Sequence, residues 1–253
     1  MQARTELETL DRNRIGRARQ TFEDAVRDAP DYLAAHVGLA MACGFLFKAS
    51  TPDAQPDAAA LELGIQQGRD ACAMAPQSGK AWSALGFLLY LNGDTEQAAA
   101  AASRAVTLEP DLWRHAILAA YVTWGDDRLH AARRALALCP GLALAHWLRV
   151  TVFVARGAFD AALEELRAGC AAQDAQKQGA EFPAVGLHLL HGLVLAAHGR
   201  LDEAAAELRR ELPSADSGQL YARECAQIPG TPSAPSRSVS RSGPRRLLRS
   251  NAR

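Results

Sequence analysis

The side chains with the best claim to chemistry in this 253-residue chain stand on one stretch, GLHLLHGLVLAAHGR, where His188 and His191 lie three apart and His198 lies beyond. Two imidazoles at that spacing share a helical face and can supply two ligands of a metal site. No Asp, Glu or Cys stands in register with them on that stretch, and they fall at core-facing or edge positions of its apolar pattern. Packing is therefore their expected role, and no metal or cofactor is assigned. His115, His130 and His146 are isolated, each expected at a helix surface or as a hydrogen-bonded interior residue. Cys43, Cys72, Cys139, Cys170 and Cys225 are odd in number, far apart and never in C-x2-C, as expected of buried free thiols in a reducing compartment. A nucleophile elbow, H-E-x2-H, a P-loop and a Gly-rich dinucleotide loop are all absent from the sequence. With no nucleophile–base pair or cleft to read, the protein is expected not to be an enzyme.

The elements that would have to position any site are helices. Apolar residues make up 49% of the chain and aromatics only 6%, with alanine very frequent, which suits close-packed helices better than a β-sandwich. The stretch from Gly79 to Pro110, GKAWSALGFLLYLNGDTEQAAAAASRAVTLEP, is the clearest unit. Trp82, Leu85, Gly86 and Leu89 fall along one face of a first helix. Asn92, Gly93 and Asp94 make a turn, with Asp94 or Thr95 as N-cap. Ala98, Ala102 and Ala105 repeat along a second helix, which Pro110 closes. Gly86 and Ala98 are expected to let the two helices approach closely, with Trp82 filling the space beside them.

This unit resembles the tetratricopeptide repeat, whose 34-residue pattern runs W-x2-L-G-x2-Y, A-x3-F, A, P. Trp82, Leu85, Gly86, Ala98, Ala105 and Pro110 match, while Leu89 holds the Tyr position and Ala102 the Phe position. Weaker copies flank it. Pro30, Pro76, Pro110, Pro140, Pro183 and Pro213 follow helical segments at intervals of 46, 34, 30, 43 and 30, the drift of a divergent array. RIGRARQTFEDAVRDAP carries the second-helix half, with residues 3–11 as its partner. The following unit has an exposed loop insertion at about 48–58, and later copies turn at Gly125-Asp126, Gly157 and Gly199. AAQDAQKQGAEF is expected as a loop. The resemblance implies an all-α, right-handed α-solenoid of stacked antiparallel helix pairs over residues 1–213, with roughly ten to twelve helices.

By the same resemblance, positions 2, 5, 9 and 12 of each unit line a concave groove. Counted from Gly79 these are Lys80, Ser83, Phe87 and Tyr90. In the next units they are Leu112, His115, Ala119 and Val122, then Leu144, Trp147, Thr151 and Val154, then Gly186, Leu189, Leu193 and Ala196. Only Lys80 suits the Lys/Arg/Asn clamp by which some members hold a C-terminal carboxylate. An apolar groove with Phe87, Tyr90 and Trp147 as anchors instead fits an amphipathic helix or extended hydrophobic segment. Packing against neighbouring helices is the competing role for each.

From Ser214 the pattern stops mid-repeat and residues 214–253 become Arg/Ser/Pro-rich, as expected of a disordered tail. Six of the 28 basic residues (Arg237, Arg241, Arg245, Arg246, Arg249 and Arg253) fall after Ala226 with no acid; the 22 that remain face 28 acidic residues, a body of net −6. The arginines after Ala226 have no aromatic interleaving for base stacking, so a solvating role is expected over nucleic-acid binding. Back-translating Gln227–Ala234 and shifting the frame by two bases permits Asn-Thr-Trp-Tyr-Ala-Leu-Gly, another W-x2-L-G, so a frameshifted or truncated repeat is an alternative origin for the tail. No uninterrupted apolar run reaches the ~18 residues of a membrane span, and MQARTELETLDRNR has charges where a signal peptide would need an apolar run. The expected protein is a cytoplasmic, non-catalytic interaction scaffold with a protein or peptide partner. The alternatives are a partner-recruiting or regulatory fragment of a larger enzyme or transcription regulator, and nucleic-acid binding through the tail.

Overall fold

Gly86 shows how small residues set the spacing of this array. In the computed structural model of the protein it lies on α4 (Gly79–Leu91) facing α5 (Thr95–Leu108), where an added Cβ would stand 3.1 Å from Ala98 O and 3.3 Å from Ala101 Cβ. A hydrogen there lets the two backbones meet, and the buried Ala98, Ala101, Ala102 and Ala105 line the facing side of α5. Trp82 packs beside them, donates Nε1–H to Pro76 O at 2.9 Å and carries the Arg104 guanidinium over its ring.

The structure describes residues 3, 6, 7, 12–51, 55–175 and 186–215. Among them are eleven helices and no strand. Besides α4 and α5 these are α1 (Arg12–Asp28), α2 (Leu33–Ser50), α3 (Ala58–Met74), α6 (Trp113–Val122), α7 (Gly125–Leu138), α8 (Ala143–Ala155), α9 (Phe159–Ala175), α10 (Leu187–Ala197) and α11 (Leu201–Ala215). Most of the helix expected at residues 3–11, the centre of the insertion, most of the loop before α10, Cys225 and the tail from 216 onward lie outside the described residues.

Three helix ends run past their expected positions. Lys48–Ser50, expected in the insertion, belong to α2; AAQDA, expected in a loop, closes α9; and α11 continues through Pro213 to Ala215. Ser50 explains the first. It is 2% exposed, donates its hydroxyl to Phe47 O at 2.7 Å and accepts Asp57 N–H at 2.8 Å, so it fastens both ends of the shortened insertion. Asp57 then caps α3 by accepting Ala60 N–H at 3.0 Å.

The turns inside the helix pairs repeat one device. Gly93, Gly157 and Gly199 have φ of 91°, 69° and 73°, the left-handed conformation that closes a helix without a Cβ penalty. At the first, Gly93 N–H reaches Tyr90 O at 3.0 Å and Asp94 N–H reaches Leu89 O at 2.9 Å; the other two pair their N–H groups in the same way. Asp94 holds the N-cap position of α5, one of the two residues expected there; it makes no side-chain cap, and its Oδ2 accepts from Asn92 Nδ2 at 2.8 Å.

Contacts between pairs are uneven, and that bends the stack. α2 meets α4, α4 meets α6 and α6 meets α8, whereas α3, α5, α7 and α9 pack chiefly on helices adjacent in sequence. The first helices therefore crowd together on the inner side while the second helices splay outward, which makes the inner face concave. α2 has α1, α3 and α4 around it and is apolar on nearly every side. By length and mean hydropathy (18 residues, 1.4) it is long and apolar enough to cross a membrane, and here 56% of it is buried inside the array.

Candidate functional site

The inner face is floored by an aromatic row. Phe45 from α2, Phe87 from α4 and Tyr121 from α6 follow one another with centroids 5.4 and 5.9 Å apart, and Tyr90 meets Tyr121 at 5.3 Å. Lys48 Nζ sits 4.6 Å from the Tyr121 ring centre. Burial pushes the Tyr121 hydroxyl up to about 12, so it stays neutral.

That row changes which groove residues are reachable. Phe87 is 3% exposed, Ser83 5%, His115 2%, Ala119 8% and Val122 4%. These five were expected to face a partner, and the structure buries them between first helices. Position counting assigns a side of the helix and not its openness, and here the first helices stack so closely that these flanks are used in helix–helix contact. Tyr90, Trp147, Thr151 and Leu189 are half-buried, Lys80 is exposed at the start of α4, and Leu193 is 46% exposed. Thr151 is already engaged, accepting from Arg128 Nη1 at 2.9 Å and donating to Leu148 O at 2.6 Å.

Two of the buried residues meet each other. His115 Nε2 lies 3.0 Å from Glu109 Oε2, and Ser83 Oγ lies 2.6 Å from His115 Nδ1. Burial lowers the His115 pKa more than Glu109 raises it, leaving the ring neutral. A carboxylate only accepts, so Nε2–H donates to Glu109 and Nδ1 accepts the Ser83 hydroxyl. Glu109 also accepts Gly79 N–H at 2.8 Å. Burial works to raise its pKa, and these hydrogen bonds with the neighbouring charges outweigh it and leave it lowered. The order serine–imidazole–carboxylate is that of a nucleophile relay. However, Ser83 is enclosed in mid-helix and its neighbouring N–H groups lie inside α4, so no surface is left for a substrate carbonyl or its oxyanion. The relay joins α4, the end of α5 and α6.

Arg128 was missed by sequence reasoning. It is 6% exposed, donates Nε–H to Ala120 O at 3.0 Å and Thr123 O at 2.8 Å, and stacks on Trp124. α6 is the one first helix between α4 and α10 without the Gly turn of the others, and the guanidinium satisfies its terminal carbonyls instead. The short 30-residue spacing from Pro110 to Pro140 was the available signal.

The three histidines separate. His198 meets Phe159 edge-to-face with centroids 5.1 Å apart. His188 is 1% exposed, with Nδ1 2.6 Å from Glu207 Oε2 and Nε2 3.0 Å from Asp174 Oδ1. His191 Nδ1 lies 3.8 Å from Cys170 Sγ and 3.6 Å from Glu207 Oε2. Its pKa is lowered, first by burial. For Glu207 burial acts to raise the pKa, and His188, His191 and Arg210 together leave it lowered. Reading along one helix found no acid or thiol beside these histidines; α9 and α11 supply both.

No family model matches the chain, and no curated protein matches it by sequence. Solved structures do. The chain is similar to a thermophilic tetratricopeptide-repeat protein of Thermus thermophilus, with 17% identity over 68% of this chain and 93% of that one at a TM-score of 0.52. It is also similar to a chain of the APC/C hetero-tetramer Cut9–Hcn1 (15% identity, 82% of this chain and 37% of that one, TM-score 0.63). A third is the human IFIT1 dimer with PPP-AAAA (16%, 81% and 49%, TM-score 0.61). The chain spans about a third of the Cut9–Hcn1 chain and half of IFIT1. At these identities the likeness establishes the fold: the protein is an all-α tetratricopeptide-repeat solenoid.

Proposed function

We propose that this protein is a non-catalytic scaffold that holds a helix or extended hydrophobic segment of a partner protein along its concave face. One observation carries the reading. First helices whose flanks are packed into their neighbours still leave Tyr90, Trp147, Leu189 and Leu193 partly exposed, and Lys80 exposed at the start of α4. Apolar side chains left open on a face of fixed curvature suit a partner that adds its own apolar stripe. The structural neighbours support a binding role in general terms, since repeat solenoids of this kind present a long surface to a ligand.

The test compares wild type with Tyr90→Ala and Leu193→Asp, two substitutions at residues that keep exposed surface. Both are expected to lose the partners captured from the native cell while far-UV circular dichroism stays near wild type. Capture of the same partners by both variants would refute the groove. A second reading, nucleic-acid binding, is favoured only by the six tail arginines. It predicts affinity for a single-stranded oligonucleotide that falls steeply with salt and vanishes on deleting residues 226–253; unchanged affinity in the deletion would rule it out.

A further inference from the structure

Three ligand-type atoms from three helices converge where α9, α10 and α11 meet. Cys170 Sγ, His191 Nδ1 and a Glu207 carboxylate oxygen all lie within 4.8 Å of one another. A tetrahedral zinc with Zn–S of ~2.3 Å and Zn–N or Zn–O of ~2.0 Å spaces its ligand atoms about 3.3–3.6 Å apart. The observed separations of 3.8 Å to Sγ and 3.6 Å to Oε2 already approach those edges. Cys170 is 4% exposed and His191 6%, while the Glu207 side chain keeps 17%, so the cluster meets water on its carboxylate side.

Register in the array makes the arrangement more specific. Trp82, Leu85 and Ala101 stand eleven and eight residues before Gly93 and eight after it. The same places around Gly157 hold His146, Arg149 and Glu165, and around Gly199 they hold His188, His191 and Glu207. In the α8–α9 pair the carboxylate is closed by protein alone, with Arg149 Nη1 and His146 Nδ1 at 2.8 and 2.6 Å from Glu165 Oε1. In the α10–α11 pair an imidazole replaces that guanidinium, and the Cys170 thiol comes in from α9. The fixed cation has become a ligand. Arg210 does approach Glu207 Oε1 at 3.3 Å, but from the exposed side, and it also pairs with Asp174.

We infer that Cys170, His191 and Glu207 bind a zinc-type divalent cation, with the fourth position open to water. Thiolate and imidazole select such a metal over magnesium or calcium. His188 stands outside the ligand set, with one ring nitrogen on Glu207 and the other on Asp174, the kind of contact that orients a ligating carboxylate. Binding is balanced as M²⁺ displacing the Cys170 thiol proton to solvent, one proton per metal. The thiolate and Glu207 then supply the two negative charges that face the dication. The bound ion ties α9, α10 and α11 together, and the site is independent of the concave groove.

Cobalt(II) titration of the chelator-treated full chain tests this. Expected are the intense visible bands of a four-coordinate site and a near-ultraviolet sulfur-to-cobalt charge-transfer band, both displaced by one equivalent of Zn²⁺ and both lost in Cys170→Ala. Cys139→Ala, which removes a more accessible thiol, should leave them unchanged. Glu207→Gln preserves shape and should weaken cobalt binding at least tenfold, with circular dichroism confirming the fold. Absence of the charge-transfer band, its persistence in Cys170→Ala, its loss in Cys139→Ala, or unchanged affinity in a folded Glu207→Gln would each overturn the assignment.

Discussion

Replacing Phe87 by alanine separates the two roles the inner face can give that residue. If it were a partner anchor, truncation would weaken binding and leave the fold alone. In the structure the ring is 3% exposed and lies between Phe45 and Tyr121 at 5.4 and 5.9 Å. Truncating a fully buried phenylalanine removes about 3–5 kcal/mol of stability, part of it from the aromatic contacts. We expect a loss of about 4 kcal/mol, which for a domain of this size lowers the melting temperature by roughly 8–16 °C. Because Phe45 belongs to α2 and Tyr121 to α6, three helix pairs loosen together. The loss should therefore appear in urea titration followed by circular dichroism, and as faster amide exchange across α2, α4 and α6. Stability within about 1 kcal/mol of wild type, together with lost partner capture, would refute the buried-floor reasoning and return Phe87 to the ligand.

Gly86→Ala sets a methyl 3.1 Å from Ala98 O and is expected to destabilise. Gly16→Ala, with nothing within 4 Å of the new methyl in mid-α1, should stabilise by about 0.5–1 kcal/mol; paired chemical denaturation checks both signs. Burial holds the folded His115 pKa below its 6.5 reference, so only the unfolded chain takes up that proton, and stability present above pH 6.5 falls as the solution is acidified. The lowered Glu109 pKa acts in the same direction, its contribution being lost below its 4.5 reference. His115→Gln should flatten the stability profile in the upper window, between pH 7 and the onset of Glu109 protonation, and an unchanged slope there would contradict the assignment. Arg128→Met leaves the Ala120 and Thr123 carbonyls without the guanidinium that serves them, and a loss of about 2–4 kcal/mol with early exchange in α6 is expected.

The helix pairs were legible because their signals are local. Trp82, Gly86, Ala98 and Gly93 each announce themselves within a few residues, and the backbone responds to them directly. The groove was only half legible. Counting from a turn assigns the side of a helix a residue occupies, and it says nothing of the burial found at Phe87 and Ser83. How far that side is open depends on the approach of the next first helix, which is set by residues such as Phe45 and Tyr121 some thirty to forty positions away. The boundaries that moved, at Ser50 and Ala175, have the same origin. Ser50 stays helical because Asp57 N–H completes its hydroxyl's hydrogen bonding across the insertion.

The polar residues follow a rule visible only once the units are overlaid. The motif's tryptophan place asks for a flat ring with an N–H at the mouth of the first helix. Trp82 meets it by donating to Pro76 O, and His36, six residues after Pro30 as Trp82 is after Pro76, keeps that contact with Nε2 2.8 Å from Pro30 O. An imidazole has a second nitrogen where indole has carbon, and that atom needs a partner from the second helix. The array supplies one each time: Gln67 on α3 at 2.8 Å, Glu165 on α9 at 2.6 Å and Glu207 on α11 at 2.6 Å. Exchange of tryptophan for histidine thus brings a part-buried polar acceptor into what is otherwise an apolar seam. Leaving such an acceptor without its partner costs about 1–3 kcal/mol. Each histidine unit is consequently tied to its own second helix more specifically than Trp82 is tied to α5, and the junction of α9, α10 and α11 becomes the place where charge, thiol and imidazole meet.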